Sequence, residues 1–277
     1  MSELLSQIER TVRSLKGSRK APVLLLKIDP IVRADALRVQ DVLAGKKYET
    51  LEVVLQTGGG DVNAAFNITK LLRKHAASVN ILVPLFAKSA GTLICLGGNK
   101  ILMSEFAELG PLDAQLPEKQ EGESQTYKSA LDGFKALEEV RRHALETLDL
   151  GAKLLAERSG LKMSEVVSHA IDFAAGVAKP LYTQLNPTSI GQSSRALQVG
   201  ERYGVQVLIR CLGWDEPKAE RAVRTLVYDY PAHDFILDYE EMVRLGFPAE
   251  KINEADVLQG IGQLLLKTND DVVMLLD

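Results

Sequence analysis

Two consecutive units, each a strand, a tight turn and a helix, constrain this chain more than any other feature. The first, Leu51-Glu-Val-Val-Leu-Gln-Thr-Gly-Gly-Gly-Asp-Val-Asn-Ala-Ala, is an apolar run, then three glycines, then an amphipathic pattern. The second, Val79 to Met103, reads as a buried strand, a tight turn carrying Ser89, a short apolar helix and another strand. A strand-to-helix elbow pushes its side chain out of the sheet. It also sets the N–H of the next residue, Ala90, at a helix N-terminus, where developing negative charge is stabilised. Ser89 is therefore a candidate nucleophile, and the plainer reading of the same residue is a helix N-cap. The glycines let the backbone approach a ligand with its N–H groups exposed. A phosphate loop would need Gly-Lys-Ser/Thr at the helix start, whereas Gly60-Asp61-Val62 puts an N-capping acid there that repels phosphate. An oxyanion or a peptide backbone suits this loop better.

Around these units strands and helices alternate. Leu5, Ile8, Val12 and Leu15 predict a helix over 2–16 ended by Gly17-Ser18. Strands follow at 23–29, 51–56 and 79–86, and helices at 35–43, 61–75 and 89–96. The pattern implies an α/β fold with a mostly parallel sheet whose ligands sit at the carboxyl ends of strands, where Gly58 to Gly60 and Ser89 both fall. After Asp113 come a polar loop (117–125) and helical patterns over most of 126–227. Breaks are expected at Gly160, Pro180, Asn186-Pro187, Gly191 and Gly213 to Pro217. A short strand and helix (235–246) and a helix at 254–266 close the chain. We expect a single domain over 1–277, with an αβ core at 20–115 and a helical extension and closing segment at 120–277.

A chain of 277 residues, 46% hydrophobic and 25% charged, can bury a large core. Its net charge of -4 and the lack of a basic stripe interleaved with aromatics argue against a nucleic-acid partner. Cys95 and Cys211 lie in apolar stretches without metal-ligand spacing, so neither a metal nor a cofactor is expected and a reducing compartment is the simplest reading. No apolar run approaches the roughly 18 residues of a membrane helix. The segment Met1-Ser-Glu-Leu-Leu-Ser has acid where a signal peptide is basic, and a cytoplasmic location is the expectation.

Four segments together resemble the Clp protease/crotonase superfold, and within it the serine dehydrogenase proteinase-like group related to signal-peptide peptidase A. They are Gln56-Thr-Gly-Gly-Gly-Asp-Val, Ala87-Lys-Ser-Ala-Gly-Thr, Leu109-Gly-Pro-Leu-Asp-Ala-Gln-Leu and Tyr230-Pro-Ala-His-Asp-Phe-Ile. The resemblance implies a Clp/crotonase-like ββα superhelix with a helical C-terminal half. It also implies a serine peptidase that works through an acyl-enzyme on Ser89. The oxyanion hole would come from the N–H groups of Gly60 and Ala90, with Gly59 beside them. Ser-Lys relatives carry their base at the start of the long helix after the nucleophile, which corresponds to Lys128 here, with Lys135 as fallback. Lys88 is poorly placed, because adjacent residues of an elbow diverge.

A Clp-type histidine would fall within Leu109-Gly-Pro-Leu-Asp-Ala-Gln, and none is there. Two roles stand open: His233 as an alternative base on Ser89, or Asp234 as an orienting acid with no partner histidine. Asp113, at the Gly-Pro bend, is a candidate for substrate positioning, or simply a turn cap. The functional alternatives are an inactive oligomeric scaffold and, less in keeping with an elbow serine, a crotonase-type acyl-CoA enzyme. The expected partners are a peptide or protein substrate and further copies of the chain. The apolar positions Leu145, Leu148, Leu154 and Leu155 point to a homo-oligomer.

Overall fold

The computed structural model describes residues 2–118 and 126–277, with side chains over 3–114 and 129–277. Most of the polar loop read at 117–125 lies outside the described residues. In order, the elements are α1 (Ser2–Arg19), β1 (Val23–Lys27), α2 (Arg33–Leu43), β2 (Tyr48–Gln56), α3 (Val62–His75), β3 (Ala76–Val83), β4 (Phe86–Ala87), α4 (Ala90–Cys95), β5 (Lys100–Met103) and β6 (Glu108–Leu109). There follow β7 (Gln115–Glu118), β8 (Thr126–Ser129), α5 (Ala130–Arg158), α6 (Met163–Thr183), α7 (Pro187–Leu212) and α8 (Glu216–Arg224). A π-helical turn (Thr225–Asp229), α9 (Tyr239–Arg244), β9 (Ala249–Lys251), α10 (Ala255–Leu265) and β10 (Val272–Leu276) complete the chain.

Six strands form one sheet in the order β10-β1-β2-β3-β5-β9, parallel except for β10 against β1. Every residue of β1 is buried, as continuous apolar strands are when both faces of a parallel sheet are covered. Ile8, Val12 and Leu15 of α1 share a core cluster with Leu258, Ile261 and Leu265 of α10 and with Val23 and Leu25 of β1. Each such side chain contributes about 1.5–3 kcal/mol when fully buried, which is what fastens α1 to the sheet. The chain divides into two compact units, Met1–Asp113 with Val199–Asp277, and Ala114–Gln198. The first is α/β and carries the sheet. The second contains the antiparallel pair β7 and β8, and α5 packed on α6 around Gly151 and Ala170.

Several boundaries depart from the sequence reading. Gly17-Ser18 does not end α1, which continues to Arg19. A helical glycine is unfavourable by about 1 kcal/mol, but the extra turn brings Arg19 within 3.0 Å of the buried Glu52 carboxylate. An unpaired buried charge would be worse by several kcal/mol, at order-of-magnitude level. Pro180 and Gly191 sit inside α6 and α7. The hydrogen bond that Pro180 removes would have gone to the carbonyl of Gly176, an exposed residue near the helix end where water can take its place. The other expected breaks, at Gly160, Asn186-Pro187 and Gly213 to Pro217, separate helices as read. The strand read at 79–86 is two strands, β3 and β4, divided at Pro84-Leu85. β10, beyond the last element expected, was missed altogether.

Candidate active site

At Ser89 the chain turns sharply from β4 into α4, with φ 51° and ψ -116°. Positive φ is strained for any residue with a Cβ, by roughly 1–3 kcal/mol, and such strain gathers at functional sites. Ser89 is the N-cap residue of α4 by position, but its side chain makes no capping bond. Its half-buried hydroxyl is held out of the helix by the backbone itself.

The two sequence motifs meet here. Past the end of β2, Thr57 pairs with Ala87, its N–H donating to the Phe86 carbonyl (3.2 Å) and its carbonyl accepting from the Lys88 N–H (3.0 Å). The glycine loop therefore lies directly against the elbow. A Cβ placed on Gly59 (φ +116°) would stand 2.9 Å from the Ser89 Cβ and 3.4 Å from its Oγ. Gly60 (φ +145°) runs so close to Ile31 that a Cβ there would be 2.5 Å from the Ile31 nitrogen. Gly60→Ala is accordingly expected to cost at least about 1–3 kcal/mol of stability through backbone strain alone. A lower urea midpoint, with activity lost at concentrations where the protein remains folded, is the expected result.

The loop amides are used unequally. Gly58 N–H donates to the Asp29 carboxylate (3.2 Å) and Gly59 N–H to the Thr57 hydroxyl (3.1 Å), so Gly59 is committed within the loop. Among the described residues the N–H groups of Gly60 and Ala90 have no protein acceptor. These are the two donors expected of an oxyanion hole. Asp29 and Thr57 were not singled out from the sequence: no local pattern reveals that a side chain will accept from a glycine amide across a turn.

β4 pairs in parallel with β6, and Leu109 of β6 pairs antiparallel with Leu237. The Thr92 hydroxyl ties the first two together, lying 2.9 Å from the Ala87 carbonyl and 2.8 Å from that of Gly110. Ser89 lies just beyond β4, Asp113 beyond β6 and His233 before Leu237, so all three emerge at the same end of neighbouring extended segments. There the His233 Nδ1 lies 2.6 Å from the Asp113 Oδ1, with the Asp113 side chain fully buried and that of His233 21% exposed. Asp113 is thus no surface turn cap.

Both sides of this pair are anchored. The Leu112 N–H donates to the Leu226 carbonyl (2.8 Å) in the π-helical turn, whose wider winding leaves carbonyls outside the α-helical ladder. On the other side the Tyr230 ring packs against Phe235, and its hydroxyl donates to Glu241. Hydrogen bonds from Arg244 hold the Glu241 carboxyl below its usual range, with burial opposing them. Its contribution to pinning this segment is present above the ordinary carboxylate range and is lost as pH falls through the lowered value.

The remaining candidates fall elsewhere. The Lys88 ammonium is 2.7 Å from Glu108. Asp234 is exposed and makes no hydrogen bond or ion pair among the described residues. Lys128 lies in β8 and not at the start of α5, whose N-cap is Ser129, accepting from the Leu131 N–H at 3.0 Å. The Lys128 side chain lies outside the described residues. Lys135 is half-buried in α5 of the second unit. Among the described residues no group of three or more His, Cys, Asp or Glu side chains is placed to hold a metal ion, and no helix is long and apolar enough to cross a membrane.

The family described as ClpP-like SDH-type serine proteinase matches residues 32–132, a stretch that includes the glycine loop, the elbow and Asp113. Over that stretch the chain is similar to this family. Similar proteins include two uncharacterized proteins of Methanocaldococcus jannaschii. MJ0137 is 44% identical over 75 residues, covering 27% of this chain and 26% of that protein. MJ1495 is 31% identical over 88 residues, 32% of this chain and 28% of that protein. The match thus spans little more than a quarter of either relative. Among solved structures, a serine-to-alanine mutant of the 1510-N membrane-bound stomatin-specific protease is 21% identical with a TM-score of 0.32, over 52% of this chain and 66% of that one. A lysine-to-alanine mutant of the same protease, in complex with a substrate peptide, gives the same identity and TM-score over 55% and 72%. The ClpP-like proteinase match ends at residue 132, well before His233.

Proposed function

We propose that this protein is a serine peptidase whose nucleophile is Ser89 and whose general base is His233, oriented by Asp113. The observation that carries the reading is the packing of the glycine loop on the strained, uncapped Ser89, with the Gly60 and Ala90 N–H groups left without protein acceptors. With its Nδ1 proton donated to Asp113, the imidazole keeps a lone pair on Nε2 to accept the serine proton. Ser89 and His233 make no hydrogen bond to each other among the described residues, and catalytic hydrogen bonds of this kind often tighten only once substrate is bound.

In the first step the Ser89 Oγ bonds to the peptide carbonyl carbon and His233 takes the hydroxyl proton. The carbonyl oxygen becomes an oxyanion facing Gly60 and Ala90. The C–N bond then breaks as His233 returns that proton to the leaving amine, which leaves an ester on Ser89. Water, deprotonated by His233, hydrolyses the ester. Among the described side chains His233 is the candidate base, because its Nδ1 lies 2.6 Å from a buried carboxylate. A fluorophosphonate probe tests the reading, since it reacts rapidly only with an activated serine. Labelling at Ser89 in the native protein is the expected result, and native protein that resists the probe overturns the peptidase in favour of an inactive scaffold.

We further propose that the peptidase is a homo-oligomer. Met163, Val167, Ile171 and Tyr182 share one face of α6 and are all exposed, as are Leu145 and Leu154 of α5, while Leu148 and Leu155 are half-buried. Light scattering is expected to give a mass that is a multiple of 30.3 kDa. Val167→Asp with Ile171→Asp should shift it to that of one chain, and a wild-type monomer at micromolar concentration would refute the assembly.

A further inference from the structure

The geometry points to Thr57 as the positioning residue of the oxyanion hole, a role that rests on the peptidase reading of Ser89. Thr57 is fully buried and touches every part that carries a donor. Its hydroxyl accepts the Gly59 N–H (3.1 Å), which turns that amide away from the site and leaves Gly60 to supply the loop's donor. Its main chain holds the elbow from both sides, through Phe86 and Lys88. Its methyl group lies beneath the first turn of α4, where a Cβ on Gly91 would be 2.5 Å from Cγ2. The hydroxyl thereby decides which loop amide faces the site, while the main chain holds that loop beside the elbow. Deleting a direct oxyanion donor slows an enzyme by about 10²–10³-fold, and freeing the loop that carries one should lose about 10- to 100-fold.

Thr57→Val keeps the β-branch and the methyl group and removes the acceptor, whereas Thr57→Ser keeps the acceptor and removes the methyl. The test uses the full chain and measures the rate at which a fluorophosphonate labels Ser89, where an Oγ–P bond forms, fluoride leaves and the hydroxyl proton passes to the base. kcat and KM on a casein substrate and amide exchange at Gly59 are measured on the same samples. Thr57→Val is expected to label and turn over about 10- to 100-fold more slowly with KM unchanged, and to lose protection at the Gly59 amide. Thr57→Ser should stay within about threefold of wild type. Equal labelling of wild type and Thr57→Val overturns the role, as does an equal loss in Thr57→Ser, which would point to packing alone. If the wild type itself resists the probe, the peptidase reading falls and the positioning role falls with it.

Discussion

Ser89→Ala is expected to lower casein hydrolysis by on the order of 10⁶-fold, the usual loss when a triad nucleophile is removed. Stability should change by no more than about 0.5 kcal/mol, because the hydroxyl caps nothing in α4. A companion variant separates chemistry from strain. Ser89→Gly should be equally inactive yet at least as stable as Ser89→Ala in urea: relief of the positive φ is worth about 1–3 kcal/mol, against roughly 0.5–1 kcal/mol for the extra freedom of glycine in the unfolded chain. Hydrolysis that survives in either variant removes Ser89 from the mechanism. A Ser89→Gly protein clearly weaker than Ser89→Ala removes the strain argument.

The second large effect belongs to His233. His233→Ala should cost on the order of 10⁴–10⁶-fold in kcat/KM, and Asp113→Asn about 10⁴-fold, since an amide in place of the carboxylate favours the wrong imidazole tautomer. Because the two act as a unit, the double variant should be little worse than His233→Ala alone. Lys128→Ala is expected to stay within about threefold of wild type. A Lys128→Ala collapse beside an active His233→Ala protein would transfer the base to the lysine, and strictly additive losses would show that His233 and Asp113 work separately.

The glycine loop and the elbow could be read from the sequence because each is a local pattern: an apolar run, special backbone residues, then helical periodicity. Their meeting needs only adjacent strands. The His233–Asp113 bond joins positions far apart in the chain, and no periodicity announces it. The sequence reading left His233 as an alternative base, or Asp234 as an orienting acid with no partner histidine, and gave Asp113 to substrate positioning, whereas His233 Nδ1 lies 2.6 Å from the buried Asp113 carboxylate and Asp234 is exposed. β10 was hidden for a similar reason: Val-Val-Met-Leu-Leu is too short for periodicity to classify, and its partner β1 lies near the other end of the sequence. Gly17-Ser18 misled because local propensity carried no trace of the distant Glu52 that Arg19 must reach.

The pairing of β1 with β10 bears on when a ribosome-bound chain can complete the site proposed for it. Ser89 and its loop are synthesised early, but Asp113 is separated from His233 by all of Ala114–Gln198, and β1 keeps an open edge until residues 272–276 have emerged. At about 5–20 residues per second, the interval between making the nucleophile and closing the sheet is roughly ten seconds or more. Until His233 has been made, the nascent chain holds Ser89 without the base proposed for it, so a peptidase of this design would stay unarmed over that stretch of synthesis.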